Sequence, residues 1–134
     1  MLGDNKIVGF VPTSDYARAR EFFEGKLGLG FISQDDFALV LDANGIMLRV
    51  TKVRDHTPAP FTILGWEVRE IEKMVARLTK AGVTFERYDL PGMTTVGGIT
   101  EVPGNYPSKG GAGERAVWFR DSEGNLMGIG QAVR

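Results

Sequence analysis

Hydrophobic positions change period along this chain in an order that occurs twice. Residues 7–11 are a short apolar run that meets Pro12, whose missing N–H favours a break in the ladder there. Thr13, Ser14 and Asp15 follow as N-cap candidates, and Asp15 suits the positive end of a helix. Ala19, Phe22, Phe23 and Leu27 then recur at helical spacing as one apolar stripe, with Gly28 as the expected stop. A short strand is expected at 31–33. Two further apolar runs, 37–41 and 46–53, flank Asp42-Ala43-Asn44-Gly45, and Asn-Gly between such runs predicts a hairpin.

A polar linker over 54–60 contains Pro58 and Pro60, and after it the order restarts. Residues 62–68 are strand-like. Ile71, Met74, Val75 and Leu78 stand at i, i+3, i+4 and i+7, which predicts an amphipathic helix closed by Gly82. Residues 83–88 read as a strand. Runs at 115–120 and 126–132 flank Asp121-Ser122-Glu123-Gly124-Asn125, an echo of the first hairpin turn. The expected fold is therefore α+β: two βαβββ modules, about 6–53 and 62–132, in a single domain over 1–134. Each helix should bury its stripe on one face of its own sheet. The free faces should form a curved sheet around a cavity, where ligands usually bind. A single ferredoxin-like sheet competes, but leaves the second strand set unexplained.

Composition narrows the function. A chain of 134 residues, 43% hydrophobic and 25% charged, is an ordinary soluble globular domain. Sixteen basic and seventeen acidic residues nearly cancel, which removes the electrostatic case for nucleic acid. The absence of cysteine removes disulfides, thiolate metal sites and cysteine nucleophiles. Neither a signal peptide nor a membrane span is expected from the apolar segments, so the expected location is the cytoplasm.

Several segments resemble the vicinal oxygen chelate superfamily, which includes glyoxalase I, bleomycin-resistance proteins and extradiol dioxygenases. Asp15 with Phe22, Phe23, Lys26, Leu27 and Gly28 resembles its first helix. Gly65-Trp66-Glu67-Val68, Ile71 and Ala81-Gly82-Val83 resemble its second-module strand and helix. Trp118-Phe119-Arg120-Asp121-Ser122-Glu123-Gly124-Asn125 resembles its closing hairpin F-x-D-P-D-G-N, with Ser122 in place of proline. The resemblance implies a homodimer. In metal-dependent members four ligands, usually His or Gln, Glu, His and Glu, sit on the first and last strands of the two modules. By motif spacing those positions fall on Val8, Arg49, Ile63 and Gly128. Valine, isoleucine and glycine have no donor side chain and arginine is a fixed cation, so no metal and no cofactor are expected. The resemblance then implies a metal-independent protein that binds and sequesters an apolar or planar small molecule. A glyoxalase-like isomerase, lyase or transferase acting on a small carbonyl metabolite is the alternative.

Candidate ligand-binding residues are Val8, Phe10, Met47, Arg49, Glu67, Met93, Tyr106, Trp118 and Gly128. Arg49 and Glu67 are expected to face the cavity, either as an ion pair or as ligand contacts; in an enzyme Glu67 would be the base. Phe10 and Trp118 would suit stacking of a flat ligand. Trp66 is expected on the helix side of its strand. The loop over 91–113 holds seven glycines from Gly92 to Gly113 and reads as a structureless lid carrying Met93 and Tyr106. His56, the one histidine, reads as an exposed loop residue. Gly111 to Ala116 matches G-x-G-x-x-A, but it precedes a strand and so is no dinucleotide fingerprint.

Overall fold

The computed structural model describes residues 1–88, 91–104 and 112–133. It divides into one unit of Met1–Pro58 with Asp121–Gly124 and a second of Ala59–Arg120 with Asn125–Arg134. The architecture is mixed α+β, with two sheets and few helices.

In the first unit, β1 (Val8–Thr13) is followed by α1 (Tyr16–Arg20), β2 (Gly30–Gln34), β3 (Leu39–Ala43) and β4 (Ile46–Lys52). The sheet order is β1-β4-β3-β2, with β1 parallel to β4 and the other pairs antiparallel. Pro12 lies within β1 rather than ending it. An edge strand tolerates this, because one side of its backbone has no ladder partner to lose. Asp15 caps α1, its carboxylate accepting from the Arg18 amide at 3.1 Å. The helix widens into a π turn over Glu21–Lys26, where the Leu27 amide donates to the Phe22 carbonyl at 3.0 Å. Ala19, Phe22 and Phe23 are buried, as are Val11, Leu39, Leu41, Leu48 and Val50. Asn44 (φ 52°) and Gly45 (φ 86°) both adopt the left-handed conformation that a two-residue hairpin needs, as the Asn-Gly pair predicts.

The second unit repeats the motif with an insertion. Its elements are β5 (Leu64–Glu67), α2 (Ile71–Lys80), β6 (Phe85–Glu86), β7 (Thr94–Val96), β8 (Ile99–Pro103), β9 (Gly113–Arg120) and β10 (Leu126–Val133). The order is β5-β10-β9-β8-β7, with β6 also on β9 and β5 parallel to β10. The stretch expected to be a structureless loop thus contains a hairpin, β7–β8, that extends the sheet. Its turn is Gly97-Gly98, with φ of 61° and 81°. The strand expected over 83–88 shrinks to Phe85–Glu86 for a related reason. β6 pairs with Phe119 and Trp118, while β8 takes the rest of that edge from Ala116 to Gly113. A side chain at Gly113 would stand 2.8 Å from the Val102 carbonyl, so the close approach of β8 requires glycine there.

The start of α2 is tied to the sheet by the Ile71 amide, which donates to the Gln131 side chain at 2.8 Å. Gly82 closes the helix at φ 98°. Ile71, Leu78, Val83, Val117, Phe119, Met127 and Ile129 are buried. Phe119 stacks on Trp66 at 6.1 Å and meets Phe85 edge-on at 6.0 Å. Trp66 therefore lies on the core side of its strand, as expected. Replacing Phe119 with alanine should remove about 3–5 kcal/mol of stability in urea unfolding. A loss below about 1 kcal/mol would mean that this aromatic stack is not central to the unit.

Candidate functional site

Strand alternation gives the second sheet an open face opposite Phe119 and Ile129. The register sets Gly128 beside both Trp118 and Gly65, and Gly130 beside both Ala116 and Glu67. A pocket of about 440 Å³ lies on this face. Gly65, Gly128 and Gly130 line it, together with Trp118, Glu67 and Glu114. The glycines shape this pocket through what they leave out. A Cβ at Gly128 would lie 3.3 Å from Thr62 Cγ2 and 3.5 Å and 3.6 Å from Trp118 Cδ1 and Nε1. The contact with Thr62 is the tight one, and those with the indole are ordinary van der Waals distances. A Cβ at Gly65 would crowd the Gly128 carbonyl at 3.3 Å.

Trp118 has further neighbours on its own face. The Tyr88 ring meets it edge-on at 5.4 Å and 86°. The Tyr88 hydroxyl donates to Glu86, whose other carboxylate oxygen accepts from Arg120 Nε at 2.6 Å. The bond to Glu86 raises the Tyr88 hydroxyl above its usual range, with help from burial. Glu86 is lowered by the Tyr88 bond, against the opposing effect of burial, and Arg120 adds to the lowering. Glu114 is half-buried, and burial pushes its carboxyl up. Glu67 is exposed.

In the first sheet the register pairs Val8 with Met47 and Phe10 with Arg49, all four on one face. Val8 and Met47 are each 40% exposed and Phe10 67%, whereas Arg49 is half-buried. The candidates thus fall into two groups: Val8, Phe10, Met47 and Arg49 on the first sheet, and Glu67, Trp118 and Gly128 on the second. Arg49 and Glu67 belong to different units. Met93 is half-buried ahead of β7 and does not line the Trp118 pocket. Tyr106 lies outside the described residues. His56 is half-buried rather than fully exposed; polar neighbours in sequence do not report how closely a linker follows the fold.

Glu114, Glu86 and Tyr88 were not legible as site residues from composition. Glu114 could have been found by starting β9 earlier, because alternation then places it with Ala116 and Trp118. The pair Glu86–Arg120 needs the β6–β9 register, which no local pattern supplies.

The positions that resemblance assigns to metal ligands carry Val8, Arg49, Ile63 and Gly128. No side chain in this set can donate to a divalent ion, so the set does not fit one. Among the described residues, no helix is long and apolar enough to cross a membrane.

A sequence model of the Glyoxalase/Bleomycin resistance protein/Dioxygenase superfamily matches residues 6–129. No curated protein matches the chain. Among solved structures, a glyoxalase/bleomycin resistance protein/dioxygenase from Alicyclobacillus acidocaldarius is similar with a TM-score of 0.68 and 15% identity, covering 98% of this chain and 93% of its own. TnmS3, an antibiotic binding protein from Streptomyces sp. CB03234, is similar with a TM-score of 0.67 and 20% identity, covering 96% and 95%. The fosfomycin resistance protein FosX from Listeria monocytogenes reaches 0.67 at 11% identity, covering 96% and 93%. At these identities the likeness establishes the fold.

The electrostatics of Glu114 give a signed expectation. Its carboxyl is raised in the folded state above the ordinary 4.5, so ionising it costs stability as pH rises through the folded value. Glu114→Gln should therefore raise the melting temperature at pH 7, and the gain should vanish below about pH 4, where both forms are neutral. A loss of stability at pH 7 would show that the ionised carboxylate is stabilised by a partner instead.

Proposed function

The chain belongs to the Glyoxalase/Bleomycin resistance protein/Dioxygenase superfamily, and from that premise we propose that it binds a planar or apolar small molecule without a metal ion. The observation that carries this reading is the pocket over Gly65, Gly128 and Gly130, with the Trp118 indole as one wall. A floor of bare backbone admits a flat molecule close to the sheet, and an indole offers it a stacking surface. Such a pocket gains affinity mainly by removing apolar ligand surface from water. Val8, Phe10, Met47 and Arg49 on the first sheet are proposed as a second group of ligand contacts, with Arg49 binding an anionic or carbonyl oxygen. Sequestration in the cytoplasm by a homodimer, with the chain acting as a single domain, completes the proposal.

A second reading is an enzyme acting on a small carbonyl metabolite. Glu114 favours it: a half-buried carboxyl with a raised pKa is better matched to proton transfer near neutrality than an ordinary one. This moves the expected base from Glu67 to Glu114.

A thermal-shift screen of the metal-stripped protein separates these readings. The panel holds planar aromatic compounds, small carbonyl metabolites and the divalent ions of manganese, nickel and zinc. A true ligand at about a hundred times its Kd adds roughly 2.7 kcal/mol, enough to raise the melting point by several degrees. We expect that rise with a planar compound alone and its loss in Gly128→Val, which fills the floor. A rise with a metal ion alone would overturn the metal-free reading. Consumption of a carbonyl compound, abolished by Glu114→Gln, would establish the enzyme instead.

A further inference from the structure

The floor of the pocket is backbone, so the sheet's own hydrogen bonds fix its position. The Trp118 wall is a side chain beside the bare Gly128, where no Cβ stands in contact with the indole to steady it. An indole free to swing would have to be immobilised by each ligand that stacked on it, at a cost to affinity. The structure supplies a restraint from the side. The Tyr88 ring abuts the indole edge-on at 5.4 Å. Tyr88 lies two residues beyond β6, where the chain is leaving the sheet, and its ring is tethered in turn. Its hydroxyl is bonded to Glu86, and Glu86 to Arg120 at 2.6 Å. Arg120 stands on the same strand as Trp118 and two residues from it, so it shares that face. Glu86 is the register partner of Trp118 itself. The chain of contacts is therefore a closed loop that leaves β9 at Arg120 and returns to it at Trp118.

We propose that Tyr88 is a positioning residue: tethered through Glu86 to Arg120, it holds the Trp118 indole in place as the stacking wall and so sets the pocket's preference for flat ligands. The link to ligands rests on the binding reading above, whereas the restraint on Trp118 does not. The charge-assisted bonds of Glu86 make the tether stiffer than a packed aromatic alone.

The test uses the full chain in a Trp66→Phe background, so that Trp118 is the one fluorescent indole. Two quantities are measured: acrylamide quenching of Trp118, and the affinity for proflavine, a planar dye whose positive charge avoids repulsion from the nearby carboxylates. Tyr88→Leu should raise the quenching and weaken proflavine about three- to tenfold, the range for losing one aromatic edge contact and its pre-organisation. Tyr88→Phe, which keeps the ring and cuts the tether, should fall between Tyr88→Leu and the parent. Glu72→Gln should move neither quantity, because it breaks an ion pair with Arg115 on the opposite face. Unchanged quenching and affinity in folded Tyr88→Leu would overturn the proposal. If that variant fails to fold, parent-like quenching in Tyr88→Phe overturns it equally. Increased quenching in a protein that never binds proflavine would uphold the restraint and count against the binding reading alone.

Discussion

The antiparallel register of β9 and β10 is the constraint on which the second unit and its site depend. Side chains alternate along a strand, so a slip of one residue would exchange the two faces of the sheet. Phe119, Val117, Met127 and Ile129 would then point away from the core, and Trp118, Ala116 and Glu114 would point into it. The buried set prevents this: all four are within 4% of full burial. Ending the turn at Gly124, with φ 83° and its amide bonded to the Asp121 carbonyl at 3.1 Å, helps to pin the same register. Packing on one face thereby places the chemistry on the other. The core holds Trp118 beside Gly128 without touching either from the open side.

What this register builds is a site in which missing side chains matter as much as present ones. Gly128 occupies a position that, by resemblance, carries a metal ligand in other members. Here the neighbouring indole lies over it instead. Gly128 brings no side-chain donor atom to this position, and a Cβ there would meet the indole at ordinary contact distance, 3.5 Å from Cδ1 and 3.6 Å from Nε1. Glu114 adds a carboxyl whose ionisation burial disfavours. Glu86, Tyr88 and Arg120 form a polar cluster at the margin of this face, where both Glu86 oxygens accept, one from the Tyr88 hydroxyl and one from Arg120 Nε.

Much of the fold was legible in the sequence because its signals were local. Asp15 announced a cap, Asn44-Gly45 a hairpin, and Ile71 to Leu78 a helix with one apolar face. The β7–β8 hairpin was missed although its signal was also local. Gly97-Gly98 is a permitted two-residue turn, but the surrounding glycines masked it as loop composition. The truncated β6 was not legible at all, because the competition between β6 and β8 for one edge of β9 is a tertiary matter. The site divided in the same way. Alternation and motif spacing set Glu67 and Gly128 on one face and left the side of Trp118 open, whereas the contacts of Glu86 and Tyr88 with β9 arise only when strands distant in sequence are paired.

The central claim is that the glycine-floored face of the second sheet binds an organic molecule directly. Its most direct test is amide chemical-shift mapping of the metal-stripped protein titrated with proflavine. The account predicts that the amides of Gly65, Gly128 and Gly130 and the indole N–H of Trp118 shift together along one binding curve. Shifts that leave these four signals in place while others move, or glycine shifts that require a divalent ion, would contradict it.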